Sequence, residues 1–352
     1  MEFVLFSLWA LRELVEGTRL MSYLKPLSIA IFSMLFTFGA SVGMTADRAK
    51  DKKQSGAGTP IIWRDPGKIS EKDLFWGSGS ENRAPKPPFK FVEEESKGTQ
   101  PKVEVTDAGG EKWKVKFGKE VHSEVAATRL LWAMGYYAEE TYFVPSGKIE
   151  GITQLHRAKQ FIAPDGSFEG ARFEKRPKNI ERTKIAWAWG DNPFIGTKEL
   201  SGLRILMTLI NNWDTRRVSK NNVVLRIAGT DGTVEDWYVV EDLGSSFGKM
   251  GRYMFVTRNR WDLDDFKTQK FIDGVSGNML DLHYQGGARS INKVPLDHAQ
   301  WFSGLLSQLT VNQVRRAFEA AGANDSEIEG FSTRIMEKIR ELQNAVNQSP
   351  RP

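Results

Sequence analysis

Cysteine is absent from this 352-residue chain. That excludes disulfides, thiolate metal centres and a lipidated cysteine anchor. Histidine is scarce: His122, His156, His283 and His298 are the full set, and they share no metal-ligand spacing. The sequence has no Gly-x-Ser-x-Gly element and no Walker loop, and no repeat of a helical-array type. A strong charge bias is also lacking. The net charge of +5, spread along the chain, suits phosphate-bearing partners but gives no specific nucleic-acid signal. What is present is a globular composition, 40% hydrophobic and 26% charged. Eleven tryptophans are many, and they mark packing positions or exposed ledges. The length accommodates one large domain, or two lobes with tails.

Residues 1–46 read as a leader. Glu13 and Glu16 are unusual in an export signal, and Met21 offers a second start. From there Lys25 supplies a basic region, 26–39 an apolar core, and Ala40, Ser41, Gly43 and Ala46 the small residues of a cleavage site. A membrane anchor over 26–46 is the alternative, just long enough to span. Arg48, Lys50, Lys52 and Lys53 behind it would then hold the rest of the chain in the cytoplasm. The expectation is export, periplasmic or extracellular, with anchoring and a cytoplasmic domain as the alternative. Residues 47–101 read as a linker and then an arm rich in proline and aromatics, including Trp63, Phe75, Trp76, Phe89 and Phe91.

Strand-like alternation over 102–105 and 112–117 predicts a β-hairpin, with Gly109 and Gly110 in its turn. Its second strand puts Lys114 and Lys116 on one face and Trp113, Val115 and Phe117 on the other. A helix follows, with Ser123 as a candidate N-cap, Glu124 in its first turn and Gly135 as its stop. Residues 141–144 and 153–162 read as strands, the first stopped by Pro145. The basic run over 165–182 reads as a solvated face. Thr197 caps a helix to about residue 210, whose stripe of Leu200, Leu203, Leu206, Met207 and Ile210 is core. Asp214 follows in a polar loop that ends in Asn221 and Asn222. A hairpin with an Asp231-Gly232 turn then leads to Asp242-Leu243-Gly244. A polar connection between helix and hairpin explains Asp214 and the two asparagines equally well. Phosphoryl transfer needs the same groups: a carboxylate to orient a hydroxyl, and an Asn with a second carboxylate to hold magnesium.

In this order the motifs resemble the protein-kinase-like fold in its atypical branch, the HipA-type and phosphoinositide kinases. Asp242-Leu243-Gly244 resembles the Asp-Phe-Gly motif, and the stretch KWKVKFGKEVHSEVAATRLLWAMGY resembles the Lys strand and Glu helix of HipA-type proteins. Asn212 and Trp213 stand where the usual catalytic loop has His-Arg, and the Asn comes later than usual, at 221 or 222. The resemblance implies an α+β, bilobal fold: an antiparallel-sheet N-lobe over 102–164 and a mainly helical C-lobe over 165–346, with a β-hairpin at the catalytic cleft. Residues 347–352 would be a tail. It implies ATP and Mg2+ as cofactors and these roles. Gly109 and Gly110 cover phosphates, Lys116 orients them and Glu124 holds Lys116. Asp214 orients the acceptor hydroxyl, with Arg216 where many kinases place a Lys. Asn221 (or Asn222) and Asp242 bind metal. The partners would be a nucleotide and an unidentified protein or small-molecule acceptor, with membrane association through 26–46 if that segment is retained. Two other readings remain open: an exported, noncatalytic pseudokinase-like binding protein, and an unrelated secreted sugar- or peptide-binding domain suggested by the many tryptophans.

Overall fold

The computed structural model describes residues 58–347 except 97, 99, 176, 216–217, 251–258 and 287–290, and it leaves out the side chains of 218–221. The leader, Arg216 and the side chain of Asn221 therefore lie outside the described residues. The elements in chain order are β1 (Thr59–Ile61), β2 (Phe89–Glu94), β3 (Lys102–Thr106), β4 (Lys112–Phe117), α1 (Glu120–Ala133), β5 (Thr141–Glu150), β6 (Ser167–Lys175) and β7 (Ile180–Ala188). Then come α2 (Lys198–Leu209), β8 (Val218–Ala228), β9 (Val234–Val240), α3 (Leu263–Thr268), β10 (Ile272–Ser276), β11 (Met279–Leu282) and β12 (Lys293–Pro295). The chain ends in α4 (Leu296–Leu306), α5 (Val311–Ala320) and α6 (Asp325–Asn347).

Strands β2, β3, β4, β6 and β5 close into a barrel in that order. The alternation of β4 explains how it sits. Trp113, Val115 and Phe117 are buried among Val103, Val105 and Phe173, while Lys112, Lys114 and Lys116 point out of the barrel. Helix α1 packs across this outer surface and is buried on both sides. Val125, Ala126, Leu130 and Leu131 join the main helical core. Thr128 and Arg129 face the barrel, where Thr128 Oγ1 meets Thr141 Oγ1 at 3.1 Å and Arg129 Nη2 donates to the Thr141 carbonyl at 2.7 Å.

A second sheet runs β1-β9-β8-β7, with β8 and β9 as the expected antiparallel hairpin. Beside it, α2, α4, α5 and α6 enclose a core that includes Leu206, Phe247, Phe302, Phe318 and Phe331. Thr197 caps α2 as expected, its hydroxyl accepting from the Leu200 N–H at 3.2 Å. The arm packs rather than trails: Ile62, Ile69 and Leu74 are buried in the main core, and Trp63 meets Trp301 edge to face at 5.3 Å.

Several local expectations need correction. The barrel extends beyond 102–164 at both ends, because closing it requires β2 and β6. In β6 every residue from Ala171 to Glu174 is buried, since one face lines the barrel and the other meets α1. Arg172 and Glu174 are therefore paired inside the protein, while Lys178 and Arg182, farther along the basic run, are exposed as expected. Strand β5 continues through Pro145, pairing Val144 with Ala171 and Ser146 with Glu169 on either side of it. Residues 153–162 form no strand. The Glu94 carboxylate accepts the backbone N–H groups of His156, Arg157 and Ala158 at 2.6, 2.8 and 2.7 Å, which favours a 3-10 turn over Ala158–Gln160. Ser123 is not an N-cap, because α1 starts at Glu120. It lies inside the helix and donates to the Ser246 carbonyl at 3.2 Å.

Candidate active site

The site begins with one ion pair. Lys116 Nζ lies 2.8 Å from Glu124 Oε1, and the Glu124 side chain is 1% exposed. Two adjacent elements create the pair: β4 aims Lys116 out of the barrel, and the next helix brings Glu124 back over it. The other carboxylate oxygen of Glu124 lies 2.8 Å from Arg172 Nε, an ion pair without hydrogen-bond alignment. Arg172 also pairs with Glu174 and lies 3.8 Å from Glu139, while Lys114 pairs with Glu174. Burial alone would push the Glu124 carboxyl up. The charges of Arg172 and Lys116 and the Lys116 hydrogen bond outweigh it and hold the group below the usual carboxylate range. Glu139 is pushed the other way, by burial and by the neighbouring Glu174 charge.

Asp242 follows β9 and turns into the same region. Its carboxyl is raised, first by burial and then by the charge of Glu124, with Asp214 adding to the effect and Lys116 opposing it. The charges of Glu124, Lys116 and Asp214 thus all reach the Asp242 carboxyl. The turn after Asp242 requires glycine, since a Cβ on Gly244 would lie 2.9 Å from Cβ of Glu120 in the first turn of α1.

Asp214 is positioned by the residues before it. Asn211 takes a left-handed backbone, φ +53°, to end α2. Its side chain donates to the Gly248 carbonyl at 3.0 Å and accepts from the buried Lys338 ammonium at 2.7 Å. Lys338 also donates to the Leu209 carbonyl at 2.9 Å. Asn212 links the two acidic positions. Its Oδ1 accepts from the Asp214 N–H at 3.0 Å, and its Nδ2 donates to the Asp242 carbonyl at 2.9 Å. Asn212 therefore supports both backbones from a position where the resemblance has an Arg-containing pair.

Of the two candidate asparagines, Asn222 is fully buried and pairs with Val240 across the β8–β9 ladder. Val240 is the last residue of β9, so Asn222 stands across from the end of the strand that leads into Asp242. The glycine turn is not brought to the site. It stands at the far end of β4 from Lys116, and Asp107 already engages both amides: Gly109 N–H donates to its Oδ1 at 2.9 Å and Gly110 N–H to its carbonyl at 3.0 Å. The connection at the Lys116 end is instead 95–101, since Lys102 pairs with Lys116 across β3 and β4. Sequence reasoning also missed Arg172, Glu174 and Asn212. The one available signal was the alternating ARFEK charge pattern of β6 opposite KWKVK.

Two cavities flank the centre. One, of about 310 Å3, is lined entirely by polar side chains: Gln100, Lys119, Glu120, Asn259, Arg260 and Asp262. The other, of about 180 Å3, lies between the barrel and the second sheet, with Tyr137, Ile180 and Leu225 among Lys114, Glu174 and Glu241.

Among the described residues, no group of three or more His, Cys, Asp or Glu could hold a metal ion by itself. The donors present, an Asp carboxylate and an Asn carboxamide beside further negative charge, are hard oxygen ligands. They suit magnesium, which takes its remaining ligands from phosphates and water.

No protein-family profile and no curated protein sequence matches the chain. Among solved structures it is similar to the Helicobacter pylori proinflammatory kinase CtkA, at 14% identity and a TM-score of 0.45, over 76% of this chain and 100% of that one. It is also similar to the Golgi casein kinase, at 11% identity and a TM-score of 0.42, over 82% of this chain and 84% of that one. The Golgi casein kinase structure with Mn/ADP bound is similar at 11% identity and a TM-score of 0.38, over 81% of this chain and 83% of that one.

Proposed function

We propose that the chain is a magnesium-dependent phosphotransferase that uses a nucleoside triphosphate such as ATP, with a kinase-like division of labour. The observation that carries this reading is the Lys116–Glu124 pair at 2.8 Å, held by Arg172 and electrostatically joined to Asp242. A buried carboxylate that fixes a lysine beside a second carboxylate is the arrangement that phosphate positioning requires.

Lys116 holds the ammonium that meets phosphate oxygens, and Glu124 fixes its direction. Asp242 and Asn222 are the residues that would hold magnesium, which when bound neutralises charge on the phosphates. Asp214, at the mouth of the loop braced by Asn212, accepts the proton of the acceptor hydroxyl as that oxygen attacks phosphorus. The bond between phosphorus and the leaving phosphate oxygen breaks in the same displacement. The all-polar cavity beside α1 gives a hydrophilic acceptor room to approach.

A phosphate-transfer assay with magnesium and ATP tests the reading. Turnover by the unmodified chain, lost in Lys116→Met, is the expected result. Nucleotide binding without turnover would favour the noncatalytic binding protein, and absence of both would remove the phosphotransferase reading.

A further inference from the structure

We infer that the protein has a second small-molecule site, apart from the Lys116–Asp242 centre: a cavity between the arm, α1, β5 and α5 that takes a carboxylate with a small apolar body and meets its charge with Arg129. The cavity holds about 190 Å3, and Phe75, Trp76, Ala84, Phe143 and Val144 line it together with Arg129. An apolar cavity of about 150 Å3 is enough to bind benzene. This one therefore has room for an aromatic ring or a short aliphatic chain.

Arg129 sets the chemistry. It is as deeply buried as Arg172, but Arg172 serves three carboxylates and Arg129 has none within ion-pair distance among the described residues. Its hydrogen bonds go to neutral oxygens. Nε donates to the Phe75 carbonyl at 3.1 Å, Nη2 to the Thr141 carbonyl at 2.7 Å and Nη1 to Thr141 Oγ1 at 3.5 Å. A guanidinium has five N–H donors, so two are left over. Asp73 and Glu140 act on Arg129 only from a distance, and both are engaged elsewhere. Asp73 accepts the Phe75 N–H at 2.8 Å, while Glu140 accepts the Tyr142 hydroxyl at 2.8 Å and pairs with Arg83 at 3.5 Å. Burial lowers the Arg129 guanidinium to about 10, so it stays charged at neutral pH. A buried charge without a counter-ion is costly, and a carboxylate offers both the missing charge and a planar match to the guanidinium. The walls decide the rest of the ligand. A sugar would leave most of its hydroxyls without partners, since the Tyr142 hydroxyl is already taken by Ser80 and Glu140. An apolar body loses nothing there.

The test needs no nucleotide and is therefore independent of the phosphotransferase reading. The full chain is titrated calorimetrically with phenylacetate and with its neutral analogue phenylacetamide. Phenylacetate should bind with a Kd of about 1 mM or tighter, within reach of a ligand of about ten non-hydrogen atoms. It should bind at least about tenfold more tightly than the amide, because only the acid forms a charge-assisted pair with Arg129. It should also raise the midpoint of thermal unfolding, since an occupant of the folded cavity stabilises the folded state. Equal binding of acid and amide, or no binding of the acid at about 20 mM, would overturn the inference. Two variants locate the site. Ala84→Leu fills the cavity and keeps Arg129, so it should lose phenylacetate binding while its circular dichroism stays native; unchanged binding would overturn the placement. Arg129→Met should erase the advantage of acid over amide, and a retained advantage would contradict the role of Arg129. The acid and amide comparison on the native chain decides the question even where Arg129→Met does not fold.

Discussion

Replacing Arg172 by Met removes one cation from the middle of the buried network. In the native protein its guanidinium serves Glu124, Glu174 and Glu139 from a side chain that is 1% exposed. Lys116 and Lys114 remain for Glu124 and Glu174, but Glu139 loses its cation. Removing one partner of a buried ion pair costs about 3–5 kcal/mol. At about 2–4 °C per kcal/mol for a domain approaching this size, the midpoint of thermal unfolding should fall by about 6–20 °C. The pH dependence distinguishes this cause from simple loss of packing. Natively, Glu124 and Glu174 titrate below their ordinary carboxylate value, because their cations outweigh burial. Their stabilisation is therefore complete above the unfolded carboxylate value, and it is lost as pH falls through the depressed folded values. Without Arg172, burial pushes both carboxyls upward. Folding of the variant is then penalised at high pH and relieved as pH falls through the raised values. Thermal melts followed by circular dichroism should show the gap between native and variant widest near about pH 8 and narrowing toward about pH 5. A gap worth less than about 1 kcal/mol, or one that does not narrow on acidification, would refute the reasoning.

Asp214→Asn should leave magnesium-dependent nucleotide binding nearly intact and reduce transfer by about a hundredfold to ten-thousandfold, as seen in parallel binding and phosphate-release assays. Gly244→Ala forces a Cβ against Glu120 and should cost about 1–3 kcal/mol in urea unfolding. Lys338→Met removes both hydrogen bonds to the end of α2 and to Asn211, so transfer should fall more than nucleotide affinity does. For the leader we propose export with cleavage after Gly43 or Ala46; N-terminal sequencing of cell-associated and exported pools should find the processed end, and an uncleaved chain would contradict it.

The site was readable in the sequence where one element controlled a side chain, and unreadable where several did. The outward face of Lys116 follows from strand alternation, and the place of Glu124 follows from the helix that succeeds that strand without a long connection. Thr197 as a cap and the Asp231-Gly232 turn were local in the same sense. The fate of β6 was not local. Arg172 and Glu174 look like surface charges until β6 is paired with β4 and covered by α1, and only then do their partners appear. Glycine chemistry misled for a related reason: the Gly109-Gly110 turn is real, but Asp107 uses its amides within the turn. Asn212 was passed over because its value lies in joining two backbones thirty positions apart, Asn212 to Asp242.

The most direct measurement is a calorimetric titration of the native chain and of Asp242→Asn with ATP, each with and without magnesium. The account predicts that the native chain binds ATP, that magnesium strengthens this binding by at least about tenfold, and that Asp242→Asn abolishes the magnesium effect. Binding by Asp242→Asn that is as tight and as magnesium-dependent as that of the native chain would contradict the assignment of the metal to Asp242. No binding by the native chain would contradict the phosphotransferase account as a whole.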